Sequence, residues 1–269
     1  MGMQGADLGP GGKMLYHLNE RGENLASYFY PAASPTAVIV MCHGHGSCMT
    51  YDFLKASNPG LPTCYEGSWI QALNTAGFSV CGMDNQGSGR SSGMRGYFNQ
   101  FSDVVDDQVQ FFRSFAAWGL NGFESHLPRF LLGISAGGCA AIHTARILTN
   151  ELTGVVLLAP MISLEKVSKK GLNPYLRPIA SLLSILVPHL PIASADRNTK
   201  FPILQACYDN GESSQRCCDQ ASGSQTNWLD KEFHFAQGMW HILIKEPGNE
   251  KILADVIAWC QKRCPITHV

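Results

Sequence analysis

The segment "RFLLGISAGGCAAIH", residues 129–143, constrains the fold of this chain more than any other. An apolar run ends at Gly133, a single hydroxyl follows at Ser135, and small residues continue from there. An apolar run, a glycine turn and a small-residue helix form a strand–turn–helix unit, as in many α/β proteins. The same letters match G-x-S-x-G, in which glycines permit a tight turn and the serine hydroxyl projects alone from it. The segment alone leaves both interpretations open.

Apolar runs and helical patterns alternate along the first part of the chain. The runs "AVIVMCHG", "SVCGMD", "RFLLGIS" and "GVVLLAP" predict strands buried on both faces. Between them, helical spacing appears in "SWIQALNTAGF", "FSDVVDDQVQFFRSFAAW" and "AGGCAAIHTARIL". The segment "MLYHLNERGENLASYFYPA" predicts a hairpin before the first of these strands. We therefore predict an α/β fold, a single domain over residues 1–269 with a mostly parallel sheet and helices on both faces.

The alternation stops after Pro160, where a segment rich in leucine, isoleucine and proline begins. We predict a short helical lid insert at about residues 162–200. Three prolines interrupt its apolar stretch at 175–193, so it lacks the unbroken apolar run of a membrane span. The lid either packs onto the sheet or also lines an acyl channel and makes transient contact with a membrane surface. The channel-lining candidates are Leu182, Leu183, Ile185 and Leu186.

Beyond the insert, "FPILQACYD" and "KEFHFAQG" predict two strands, and "EKILADVIAWCQKR" predicts a last helix. The composition, 45% hydrophobic and 15% charged, fits a globular protein. A net charge of -1 gives no basic surface for nucleic acid. The N-terminus lacks a basic start followed by an apolar core, so we expect a cytoplasmic protein with reduced thiols. The tail "CQKRCPITHV" matches no zinc module, and no metal is expected.

Hydrolysis of an acyl bond needs a nucleophile, a base, an orienting acid and donors for the oxyanion. Ser135 is the candidate nucleophile, and His241 in "GMWHILIKEPGNEK" is the candidate base because it follows Ser135 in a loop before the last helix. The turn "CHGHGS" after a predicted strand can direct a backbone N–H into the site. We assign the N–H groups of His45 and Ala136 as oxyanion donors. An ordinary loop histidine and a plain or metal-binding turn are the alternatives.

The orienting acid has three candidates between the insert and His241. Asp209 closes the apolar run "FPILQACYD", where a strand is expected to end. It is favoured, although an Asp-Asn-Gly turn explains it as well. Asp219 lies deep in a polar loop, and Glu212 is weaker still. Ser135, His241 and Asp209 are therefore the predicted catalytic residues.

Five segments together resemble the monoacylglycerol lipase and lysophospholipase branch of the α/β-hydrolases, also classed with serine aminopeptidase-like hydrolases. They are "VIVMCHGHGS", "GFSVCGMDNQGSGRSSGMRGYFNQFSDVVDD", "LLGISAGG", "VVLLAPMIS" and "GMWHILIKEPGNEKILADVIAWCQKR". The resemblance implies a serine hydrolase of lipid monoesters that needs no cofactor, with Ser135 as nucleophile and His241 as base. Within it, "DNQGSGR" at 84–90 matches a strand-end motif that we interpret as structural.

The chain departs from that branch in two places. Its insert is shorter than the usual lid, and "ACYDNG" replaces the glycine-rich turn before the catalytic aspartate. Two alternatives therefore stay open: a non-catalytic ligand-binding or scaffold member of the fold, and a hydrolase of short esters, thioesters or peptides. The sequence gives no indication of oligomeric state.

Overall fold

The structure, a computed structural model, describes residues 6–55, 62–162, 230, 232–239, 241 and 243–264. Its contacts divide the chain into two compact units, Met1–Pro160 with Ala236–Val269, and Met161–Phe235. The single domain over 1–269 stays a prediction. The following predicted residues lie outside the described residues, together with nearly all of the lid: Leu182, Leu183, Ile185, Leu186, Asp209, Glu212 and Asp219.

Six strands form one sheet within the described residues. They are β1 (Lys13–Leu18), β2 (Asn24–Tyr30), β3 (Ala37–Cys42), β4 (Phe78–Met83), β5 (Arg129–Ile134) and β6 (Gly154–Leu158). Their order is β1-β2-β4-β3-β5-β6. The strand β2 pairs antiparallel with both β1 and β4, whereas β4, β3, β5 and β6 run parallel to one another. The predicted hairpin and the mostly parallel sheet are confirmed.

Helices cover both faces of this sheet. They are α1 (Met49–Phe53), α2 (Trp69–Thr75), α3 (Phe101–Ser114), α4 (Ala136–Ile147) and α5 (Asn249–Gln261). Every residue of β3 is buried, and alternate side chains point to opposite faces. Ile39 belongs to the core that includes α1, α2 and α5, while Cys42 on the other face donates to Gln108 of α3. The predicted α/β architecture, an α/β-hydrolase fold, is thus confirmed for this unit.

Two local predictions differ from the structure. Helix α1 was not predicted, because five residues are too few to show a helical period. The expected last strand "KEFHFAQG" is wrong, since residues 232–236 form no strand. Alternation of apolar and polar residues does not by itself make a strand, because a strand also requires a hydrogen-bonded neighbour. Its Phe233 and Phe235 side chains are exposed rather than packed in a sheet.

The segment "DNQGSGR" forms a turn organised by Asp84. This fully buried carboxylate accepts hydrogen bonds from the Tyr28 hydroxyl at 2.9 Å, the Met49 N–H at 2.8 Å and the Arg90 N–H at 2.9 Å. A side chain at position 89 would overlap the same carboxylate, so Gly89 is required there. These contacts support the structural interpretation of the motif.

None of the helices in the described part of the chain is both long and apolar enough to cross a lipid bilayer.

Candidate active site

Ser135 forms the whole connection between β5 and α4. Its backbone has φ 53° and ψ −121°, a conformation that a residue with a side chain rarely adopts. Neighbouring backbone groups hold it there: the Ser135 N–H donates to the Leu158 carbonyl at 3.1 Å, and the Ser135 carbonyl accepts from the Cys139 N–H at 3.2 Å. The sharp turn therefore falls on the serine itself, as in a nucleophile elbow.

The flanking glycines serve close packing more than turning. Neither Gly133 nor Gly137 has a positive φ. A Cβ atom at Gly137 would overlap the carbonyl oxygens of Cys42 and His43, and one at Gly133 would overlap the start of α4. The glycines thus let the N-terminus of α4 lie directly against the end of β3.

His241 lies beside the serine, as predicted. Its Nε2 atom is 2.8 Å from the Ser135 Oγ atom, across 106 positions of the chain. Burial lowers the pKa of His241 below the ordinary value of 6.5, while the negative charges of Glu246 and Asp52 partly oppose this shift. A neutral imidazole is therefore favoured near pH 7, and its Nε2 can accept the serine proton.

The His-Gly turn after β3 is held by His43, a residue that the sequence analysis did not single out. This buried ring contacts the Gly44 carbonyl through Nδ1 at 2.8 Å and the Asn85 N–H through Nε2 at 3.0 Å. A carbonyl can only accept and a backbone N–H can only donate, so the proton resides on Nδ1. Both ring nitrogens are thus committed to shaping the turn.

Asp52 of α1 holds the same turn from the other side. Its carboxylate, 8% exposed, accepts from the Gly44 N–H at 2.8 Å and from the Ser47 hydroxyl at 2.6 Å. A Cβ at Gly44 would lie 3.5 Å from the Ser135 Cβ, so this turn directly adjoins the serine. Asp52 was missed because it lies in an unremarked stretch of sequence and its partners are a backbone group and the Ser47 hydroxyl.

The two predicted oxyanion donors are the N–H groups of His45 and Ala136. The Gly44 carbonyl accepts from His43 and from the Ser47 N–H, and a trans peptide directs the His45 N–H to the opposite side. The His45 side chain is exposed and meets the Phe98 ring edge-on at 6.2 Å. Ala136 is the first residue of α4. Their role as oxyanion donors stays a prediction.

No group of three or more histidine, cysteine, aspartate or glutamate side chains in the described ranges is arranged to hold a metal ion.

Comparison with known proteins places the chain in a family. The family profile described as "Serine aminopeptidase, S33" matches residues 63–222. Rat monoglyceride lipase is 28% identical over 185 residues, covering 68% of this chain and 54% of that protein. Phospholipase YtpA of Bacillus subtilis is 30% identical over 155 residues, covering 54% of this chain and 51% of that protein. The chain thus spans about half the length of these relatives.

Solved structures give matches of lower identity. A soluble variant of monoglyceride lipase from Saccharomyces cerevisiae is 19% identical with a TM-score of 0.47, covering 65% of this chain and 52% of that one. A thermostable carboxyl esterase from Bacillus coagulans has the same identity and TM-score and covers 82% and 67%. Since the family profile matches more than half of the chain, the resemblance is confirmed: this protein belongs to the serine aminopeptidase S33 family of α/β-hydrolases.

Proposed function

We propose that this protein hydrolyses carboxylic esters of lipids, with monoacylglycerols or lysophospholipids as substrates. The observation that carries the proposal is the 2.8 Å approach of the His241 Nε2 atom to the Ser135 Oγ atom, on a serine held in a strained turn. Relatives named as monoglyceride lipases and a phospholipase support the choice of substrate class.

The reaction proceeds through an acyl-enzyme. The Ser135 Oγ atom attacks the ester carbonyl carbon while His241 Nε2 takes its proton. The negative charge that develops on the carbonyl oxygen is stabilised by the N–H groups of His45 and Ala136. His241 then protonates the departing alcohol, and the carbon–oxygen bond to glycerol breaks. Asp209 is the proposed acid that orients His241.

Deacylation repeats these steps with water. His241 removes a proton from a water molecule, whose oxygen attacks the acyl carbon of the Ser135 ester. Collapse of the second tetrahedral intermediate returns the proton to the Ser135 Oγ atom and releases the fatty acid. The chemistry requires no redox step and no cofactor.

Covalent labelling tests the catalytic part of the proposal. A fluorophosphonate should add once to the folded wild-type chain. Intact mass should show no adduct on Ser135→Ala, and His241→Ala should react much more slowly than the wild type. Both variants should retain the wild-type circular-dichroism spectrum. A folded wild type that takes no label would contradict catalysis and favour the non-catalytic, ligand-binding alternative.

A series of esters tests the substrate class. Each methylene moved from water into an apolar channel contributes about 0.8 kcal/mol, or about fourfold in kcat/KM. We expect kcat/KM to rise from two-carbon to twelve-carbon acyl groups until the channel is full, and Leu182, Leu183, Ile185 and Leu186 are its proposed lining. A flat or falling profile would favour short esters, thioesters or peptides instead.

A further inference from the structure

Lys245 ties the loop that carries His241 to helix α1. Its ammonium group donates to the backbone carbonyl of Tyr51 and, at 3.3 Å, to that of Leu54. It also lies 4.7 Å from the centre of the Tyr51 ring. The last carbonyls of a helix lack partners within the helix, and a cation there is favourable. Lys245 therefore caps the C-terminal end of α1 from a loop distant in sequence.

Helix α1 also holds the His-Gly turn after β3, which we call the oxyanion turn because it contains the proposed donor His45. Asp52, one residue after Tyr51, accepts from the Gly44 N–H and the Ser47 hydroxyl. Its charge raises the pKa of both His241 and Lys245 against the opposing effect of burial, so it acts on both groups across the site. One short helix is thus contacted by the histidine loop and by the turn next to the nucleophile.

The far end of the histidine loop has its own anchor. The Trp69 indole N–H donates to the Asn249 side chain at 2.8 Å, and the Asn249 amide donates to the Glu246 carbonyl at 2.8 Å. Between this anchor and His241, Ile244 is buried in the core. Lys245 is a charged contact between this loop and helix α1, which carries Asp52.

We propose that Lys245 and Asp52 are positioning residues that use helix α1 as a common anchor, setting the histidine relative to the oxyanion turn. The inference rests on the proposed function, because positioning matters only if Ser135 and His241 react. A displacement of about 1 Å in a reacting group can cost about a hundredfold in rate. Loosening either attachment should therefore lower kcat more than it weakens substrate binding.

The first test replaces the ammonium group. Lys245→Met keeps an apolar stem without donors, and Lys245→Arg restores donors that can reach two carbonyls. We expect Lys245→Met to lower kcat by about ten- to a hundredfold on a short ester with KM changed less than threefold. Lys245→Arg should recover most of kcat. Lys251→Met, an exposed lysine in the first turn of α5, is the matched control and should behave as wild type.

The second test asks whether the two residues act through the same anchor. Asp52→Asn should lower kcat and also move the acid limb of the kcat/KM profile to lower pH, because the Asp52 charge raises the pKa of His241. The double variant Asp52→Asn with Lys245→Met should lose less kcat than the product of the two single fold-losses. If Lys245→Met does not fold, Lys245→Gln, which keeps one donor group without the charge, takes its place.

The outcomes separate the inference from the proposed function. A wild type that does not react with a fluorophosphonate overturns both. A reactive wild type with normal kcat in the folded Lys245 variant overturns the positioning role of Lys245 alone. Loss of kcat that Lys245→Arg does not recover, or single effects that multiply fully in the double variant, would overturn the common anchor.

Discussion

Two tyrosines of β2 form a matched pair for measuring how much the hydrogen bond to Asp84 contributes to the free energy of unfolding. Tyr28 is 2% exposed and Tyr30 is 1% exposed, and both belong to the same core on the same face of the sheet. The Tyr28 hydroxyl donates to the Asp84 carboxylate at 2.9 Å. The buried Tyr30 hydroxyl has no hydrogen-bond partner in the part of the chain that the structure describes. Replacing each by phenylalanine removes one oxygen and leaves the ring packing in place.

The two substitutions should have different effects on the free energy of unfolding. Tyr28→Phe removes a hydrogen bond to a charged, buried acceptor and should destabilise the fold by about 1.5–3 kcal/mol. The Asp84 carboxylate keeps its two backbone donors, so the loss should stay in that range. Tyr30→Phe removes a hydroxyl that lost its hydration without gaining a partner. Its effect should lie between zero and a gain of about 1 kcal/mol.

Equilibrium unfolding in urea, followed by tryptophan fluorescence and far-ultraviolet circular dichroism, gives both values from the midpoint and slope. A shared slope is needed, because a changed slope would mean that the substitution altered the extent of unfolding. We expect the two variants to differ by about 1.5–4 kcal/mol. Equal destabilisation by both would refute the reasoning, since it would mean that the Tyr30 hydroxyl is also satisfied in the folded protein.

Three further predictions concern the candidate site. Asp209→Asn should fold normally but lose ester turnover by up to about 10⁴-fold, whereas Asp219→Asn should stay near wild type; the opposite ranking would move the acid to Asp219. The acid limb of kcat/KM, measured from pH 5 to 8, should have its midpoint below 6.5, because burial lowers the pKa of His241 and the neutral base persists to lower pH. A midpoint above 6.5 would mean that a nearby carboxylate outweighs burial. Gly137→Ala should lower the free energy of unfolding by about 1–3 kcal/mol and reduce turnover, because its methyl group overlaps the Cys42 carbonyl; an unchanged urea midpoint would contradict this packing.

The part of the site that could be predicted from sequence is the part whose geometry is local. The strand, turn and helix around Ser135 are contiguous, so their residue types predict a strand–turn–helix unit, although the segment alone left both an ordinary glycine turn and a nucleophile elbow open. His241 was found from its order in the chain, and only the fold brings its ring within 2.8 Å of the serine. The antiparallel pairing of β2 with β4 is likewise a property of the sheet, which no single segment encodes.

His43, Asp52 and Lys245 escaped the sequence analysis for a common physical reason. Each is held by at least one backbone group: His43 by a carbonyl and an N–H, Asp52 by an N–H beside the Ser47 hydroxyl, and Lys245 by two carbonyls. Every residue other than proline carries both groups, so the partner's identity leaves no trace in the sequence. Substituting those partners would accordingly leave most of these contacts intact. The coupling that we propose between the histidine loop and the His-Gly turn can therefore be measured only by changing the side chains that reach across.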